Sequence, residues 1–97
     1  MRTAVCPGCF DPITLGHLNI IRRASRIFDR VVVLIAVNSG KTAPMFSVEE
    51  RLDMVRRAVS RYPNVSVDSS DTLLADYVRQ YEGAVLVKGL RAASDFD

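Results

Sequence analysis

Seven consecutive apolar residues, Val31 to Val37, constrain this chain more than any other feature. The run Val-Val-Val-Leu-Ile-Ala-Val does not alternate with polar residues, so a strand built from it has no solvent face. Its β-branched residues suit a pleated backbone. It reads as a parallel strand covered on both sides.

The flanking sequence supplies the covers. Thr3-Ala4-Val5-Cys6 reads as a short first strand stopped by Pro7-Gly8. Leu18, Ile21, Ala24 and Phe28 then recur at helical spacing, with Ile20 and Ile27 beside them and Arg22, Arg23 and Arg26 on the solvated side. The long strand ends at Asn38-Ser39-Gly40. Ser47 with Glu50 three residues on is a capping box, so a second helix starts there, with Val48, Leu52, Val55 and Val59 as its buried stripe and Tyr62-Pro63-Asn64 at its end. Val65-Ser66-Val67 is a third, short strand. Ser70 or Asp71 is placed to cap a helix carrying Leu74, Tyr77, Val78 and Tyr81, which Gly83 closes. Ala84 to Val87 is a fourth strand. The order β-α-β-α-β-α-β implies one α/β domain over residues 1–97, a parallel sheet with right-handed crossovers and helices on both faces.

Composition narrows the function. Thirteen Lys and Arg against eleven Asp and Glu leave a net charge of +2, which describes neither a nucleic-acid arm nor a polybasic membrane anchor. A hydrophobic share of 48% excludes disorder. No apolar run reaches the roughly 18 residues of a membrane span, and the start of the chain does not read as a secretory signal. The expected setting is the cytoplasm, with no nucleic-acid or membrane partner.

The polar residues collect where strands end. Cys9, Phe10, Asp11 and His17 follow the first strand, Lys41 the second, Ser69-Ser70-Asp71 the third, and Lys88 and Arg91 the fourth. In open α/β sheets, ligands bind outside those carboxyl ends. Each Lys or Arg alone reads as a solvated loop cation. Together on one edge they point to a phosphate-bearing ligand.

Several familiar devices are missing: no G-x-G-x-x-G, no G-x-x-x-x-G-K-[ST] and no G-x-S-x-G. Cys6-Pro7-Gly8-Cys9 is a C-x-x-C after a strand, the sharpest rival, and would mean thiol redox chemistry. Against it, the helix begins only near Leu15 or Gly16, so Cys9 has no helix N-terminus to activate it. Cys6, Cys9 and His17 offer three zinc ligands and no fourth. Cys6 reads as a buried small hydrophobe. His17, the one histidine, opens a helix on the ligand edge, next to Gly16.

Gly8-Cys9-Phe10-Asp11-Pro12 and Thr14-Leu15-Gly16-His17 resemble the paired signature of the nucleotidyltransferase superfamily. With Lys41, Pro44-Met45-Phe46, Glu49-Glu50-Arg51, Lys88-Gly89-Leu90-Arg91 and Asp95-Phe96, the ordered set is similar to the bacterial phosphopantetheine adenylyltransferase family over essentially the whole chain. The resemblance implies a Rossmann-like doubly wound parallel sheet. It implies transfer of an adenylyl group from ATP to 4'-phosphopantetheine, yielding dephospho-coenzyme A and pyrophosphate, without a covalent enzyme intermediate. By that match His17 contacts the α-phosphate, Lys41 holds the attacking phosphate, and Lys88 and Leu74 bind the phosphopantetheine. Gly89, Leu90 and Arg91 face ATP, with Arg91 on its phosphates, and the Cys9 and Phe10 N–H groups face the nucleotide and phosphate. Mg²⁺ is expected on the ATP phosphates rather than in a protein cage. The family forms hexamers, which makes a homo-oligomer the expected assembly.

Two departures qualify the match. Cys9 stands where the family usually has Thr or Ser, and a thiol is the weaker donor, an expected loss of about 1–2 kcal/mol. The chain also stops at Asp97, before the family's Ile-Ser-Ser-[ST] motif, an acidic residue, a further strand and the final helices. On this reading the chain holds most of the phosphopantetheine pocket and half of the ATP site. The alternatives are another small-substrate nucleotidyltransferase, of cytidylyl or nicotinate type, and a catalytically silent ligand-binding fragment.

Overall fold

The structure, a computed structural model, describes residues 2–37, 45–71, 74–81 and 83–87, with the backbone alone at 74 and 75. The elements are β1 (Thr3–Gly8), α1 (Leu15–Ile27), β2 (Arg30–Ala36), α2 (Val48–Ala58), β3 (Val65–Ser70), α3 (Leu74–Val78) and β4 (Val85–Leu86). The four strands form one parallel sheet in the order β3-β2-β1-β4. No helix among the described residues is long and apolar enough to cross a membrane.

β2 is the interior strand that its composition requires. Val31, Val32, Val33, Leu34 and Ile35 are all buried. Their alternation splits the core. Val33 and Ile35 pack with Ile21, Val55, Val59 and Phe10 beneath α1 and α2, and Val31 packs with Ala4, Cys6 and Ala24 on that face. Val32 and Leu34 join Val5 and Tyr77 on the opposite face, under α3. Burying a Val or Leu side chain stabilises by roughly 1.5–3 kcal/mol, so both helical layers are anchored on one strand.

β4 is Val85–Leu86 rather than Ala84 to Val87, and larger differences from the sequence reading fall in β1, β3 and α3. β1 does not stop at Pro7-Gly8 but pairs through them, Pro7↔Leu34 and Gly8↔Ile35. The Val87 N–H donates to the Val5 carbonyl at 2.9 Å, so Val5 turns its polar groups toward β4. Pro7, two residues on, faces the same way, and β4 pairs no further than Val5↔Leu86. The missing proline N–H is therefore not subtracted from the β1–β2 ladder. β3 is longer than Val65-Ser66-Val67: Ser69 and Ser70 pair with Ile35 and Ala36 instead of forming a loop, and Ser70 is the last residue of the strand. α3 stops at Val78, and Tyr81 sits in the turn after it. Gly83 has the positive φ (+72°) expected of it, but in that turn's closure rather than directly at the helix end.

Candidate active site

β1 lies between β2 and β4, and the carboxyl ends of these strands bring the β1 turn and the starts of α1 and α2 to one edge. The turn after β1 is built tightly. Phe10 is buried with φ +49°, a left-handed conformation that costs an L-residue on the order of 1–2 kcal/mol. Gly8 makes room for it: a Cβ there would sit 3.0 Å from Phe10 Cε2. The Phe10 ring packs against the His17 imidazole, centroids 4.7 Å apart and tilted by 52°. Cys9 is exposed on this turn.

His17 is the third residue of α1, and its position follows from the helix start. Thr14 is the N-cap, and its Oγ1 accepts from the His17 N–H at 3.3 Å. In return the Thr14 N–H donates to His17 Nδ1 at 2.9 Å, so the imidazole takes the place that Glu or Gln usually holds in a capping box. An Nδ1 that accepts an N–H bond carries no proton. The ring is then neutral and its proton sits on Nε2. Burial lowers the His17 pKa below its ordinary 6.5, which favours the same neutral form. Among the described residues none bonds Nε2. His17 lines a small depression of about 20 Å³ with Cys6, Pro7, Phe10, Ile20, Ile21 and Val87, at the junction of β1, α1 and the end of β4.

Asp11 and Arg51 were not among the candidates read from sequence, and they organise the surroundings. The Asp11 carboxylate accepts from the Met45 N–H at 2.6 Å and the Phe46 N–H at 2.8 Å, latching the approach to α2 onto the β1 turn. Buried Arg51 reaches from α2 to the Cys9 carbonyl at 3.0 Å. Arg51 had left a trace in the sequence. It lies three residues after Val48 and four before Val55, inside the buried stripe of α2. In the sequence Asp11 reads only as one of the polar residues on this edge, and its role as a latch is not legible there because its partners are 34 and 35 residues away.

Of the predicted site residues, Cys9, Phe10 and His17 are brought together at this edge. Lys41, Lys88, Gly89, Leu90 and Arg91 lie outside the described residues, and Leu74 is placed by its backbone alone, as the first residue of α3. The surroundings of Cys6 do not activate the C-x-x-C pair. Both cysteines are free, and burial pushes the Cys6 thiol up to about 11, leaving it protonated at neutral pH. Among the described residues no three His, Cys, Asp or Glu side chains gather to hold a metal. Cavities of about 440 and 320 Å³ lie instead along β3 and near the amino ends of the strands, lined by residues such as Val59, Tyr62, Pro63 and Ser66, away from this chemistry.

A polar turn and a helix start set at the strand ends, where β1 is flanked on both sides, are what open α/β proteins use to hold phosphate-bearing ligands. The chain belongs to the cytidylyltransferase-like family, whose model matches residues 5–97. Within that class its sequence is 57% identical over 97 residues to a phosphopantetheine adenylyltransferase of Symbiobacterium thermophilum, covering 100% of this chain and 59% of that protein. It is 54% identical to the protein of the same name in Streptomyces coelicolor, covering 100% of this chain and 60% of that one. The chain thus spans about three-fifths of the length of the curated relatives it matches. The fold is also that of a lipopolysaccharide core biosynthesis protein from Thermoplasma volcanium, at a TM-score of 0.66 and 20% identity, covering 82% of this chain and 67% of that one.

Proposed function

We propose that the chain carries the phosphopantetheine side and part of the nucleotide side of an adenylyl-transfer site. The phosphate of 4'-phosphopantetheine attacks the α-phosphorus of ATP. A new P–O–P bond forms, the bond from the α-phosphorus to the α,β-bridging oxygen breaks, and pyrophosphate leaves. What carries the reading is His17: a neutral imidazole, fixed through Nδ1 by the Thr14 N–H, with Nε2–H left as a donor beside the β1 turn. The names of relatives at 54–57% identity support the choice of substrates.

Charge builds on the α-phosphate oxygens as pyrophosphate departs. A donor already oriented toward that position stabilises the transition state without paying for reorganisation. His17 fills this role through Nε2–H. It is not asked to move a proton, so its neutral form is the useful one. The Cys9 and Phe10 N–H groups bracket the same phosphate region from the turn. Lys41 orients the nucleophilic phosphate, Arg91 offsets charge on the ATP phosphates, Lys88 and Leu74 hold the phosphopantetheine, and Gly89 and Leu90 face the nucleotide. Each oxygen of Asp11 accepts one backbone N–H, so its carboxylate holds the turn against the approach to α2. Mg²⁺ enters as part of the MgATP substrate.

Calorimetric titration with 4'-phosphopantetheine tests the reading. Saturable binding that weakens at least about tenfold in Lys41→Ala is expected, the loss of one charge-assisted contact. No binding by a chain that still melts cooperatively would overturn the substrate assignment.

A further inference from the structure

Arg51 lies on α2 with 3% of its surface exposed. Taking a guanidinium out of water is costly unless it is paired. Among the described residues the ion pairs are Arg57–Asp53 and Arg79–Asp76, and neither involves Arg51. Its partners are main-chain carbonyls. Nη1 donates to Cys9 O at 3.0 Å and to Ala36 O at 3.5 Å, and Nε to Ser47 O at 3.4 Å. These oxygens belong to the turn after β1, the end of β2 and the N-cap of α2. One side chain therefore ties together three segments that border the site.

The bond to Cys9 also has a direction. The Cys9–Phe10 peptide is trans, so its C=O and the Phe10 N–H point opposite ways. With the Cys9 carbonyl drawn inward onto Arg51, the Phe10 N–H is turned away from α2. Among the described residues nothing accepts from it. The same turn holds Phe10 at φ +49°, a conformation an L-residue leaves readily unless it is held. A cation on the carbonyl also polarises the amide, which makes its N–H the stronger donor.

We propose that Arg51 is a positioning residue: by holding the Cys9 carbonyl it aims the Phe10 N–H at a phosphate oxygen of the bound nucleotide. The proposal rests on the adenylyl-transfer reading and deepens it: Arg51 acts through the turn, with its donors on main-chain carbonyls.

A ¹⁵N-resolved titration with MgATP tests it, on the chain, Arg51→Met and Arg51→Lys. Methionine keeps the bulk and removes every donor; lysine restores a charged donor. In the unsubstituted chain the Phe10 amide resonance shifts at saturation. Arg51→Met is expected to weaken MgATP about tenfold, as for a lost charge-assisted bond, and to abolish that shift while the Val5 and Val33 amide resonances stay in place. Arg51→Lys recovers part of both. The proposal is overturned by an unchanged affinity and shift in Arg51→Met. It is equally overturned if lysine does no better than methionine, or if both variants lose their dispersed strand resonances, which would make Arg51 a residue of the fold. If the unsubstituted chain binds no MgATP, the contact from the Phe10 N–H to a nucleotide phosphate is overturned for this chain, while the adenylyl-transfer reading is decided separately by the phosphopantetheine titration. The Phe10 resonance of unliganded Arg51→Met, compared with the parent, then still decides whether the guanidinium sets the turn: a coincident resonance would overturn that as well.

Discussion

Two helices start at the same edge of the sheet with the same device, and they use it differently. α1 begins with Thr14 and His17, α2 with Ser47 and Glu50. In each, the cap hydroxyl accepts from the N–H three residues on, and the side chain at that position accepts from the cap N–H. At α2 the acceptor is a carboxylate oxygen, Glu50 Oε1 at 2.9 Å from the Ser47 N–H. Its work ends at the helix. At α1 the acceptor is an imidazole, which has a second nitrogen. Satisfying the backbone with Nδ1 fixes the tautomer and leaves Nε2–H for a ligand. The same local grammar yields a structural cap in one place and an oriented hydrogen-bond donor in the other, and the difference that matters is the residue three positions after the cap, His17 against Glu50.

The sharpest way to break this comparison is to truncate both acceptors. In a full-length version, and on the proposed adenylyl-transfer reading, His17→Ala is expected to lower the rate of dephospho-coenzyme A formation by roughly 100-fold or more, as for loss of one preorganised donor. The KM for phosphopantetheine should move far less. Glu50→Ala should leave the rate within about twofold, its loss falling on the helix alone. Equal rate losses in the two variants, read in steady-state kinetics, would show that the two boxes do not differ in function.

Truncating the caps is a smaller test. Thr14→Ala and Ser47→Ala should each cost about 1 kcal/mol of stability in urea unfolding. Thr14→Ala keeps the main-chain N–H that bonds Nδ1, so the His17 tautomer should survive. A ring ¹⁵N spectrum that still shows the proton on Nε2 would bear this out, and a shift to the other nitrogen would mean the hydroxyl sets the tautomer instead.

The smallest effect is expected with pH, and only at α1. The His17 pKa is lowered in the folded chain. Between that value and the ordinary 6.5 the unfolded chain therefore binds more protons, so stability rises with pH across that window and is lost as the pH is lowered. Protonation also removes the lone pair that accepts from Thr14. Following the His17 ring by NMR should give a midpoint below 6.5. A midpoint above it would mean the imidazole is held charged, and the neutral-donor argument would fall.

These contrasts also show which parts of the molecule were legible in advance. The Val31–Val37 run, the Ser47 and Glu50 capping box and the helix start at Leu15 were readable because each is a local pattern with one physical meaning. The placement of Cys9, Phe10 and His17 at the strand ends followed from chain order alone. Pro7-Gly8 misled because proline's missing donor matters only if a neighbouring strand is there to receive it, and which neighbour β1 turns toward Pro7 is a property of the sheet. Ser69 and Ser70 misled for a related reason. Polar residues read as loop, yet the β2 ladder continues far enough to pair them.

The alternation of strand and helix, the buried central strand, the start of each of the first two helices and the edge on which the polar residues gather are all written in local sequence. All of these rest on spacings of a few residues, where backbone geometry and hydrogen-bond reach leave little choice. Packing alone set the contacts of Asp11 with Met45 and Phe46 and the burial of Arg51 against the Cys9 carbonyl. These contacts span 34 to 42 residues, and no local pattern encodes them, because they follow from which segments the sheet brings side by side. His17 lies between the two cases: its tautomer is set by the local bond from Thr14, and the burial that lowers its pKa comes from packing.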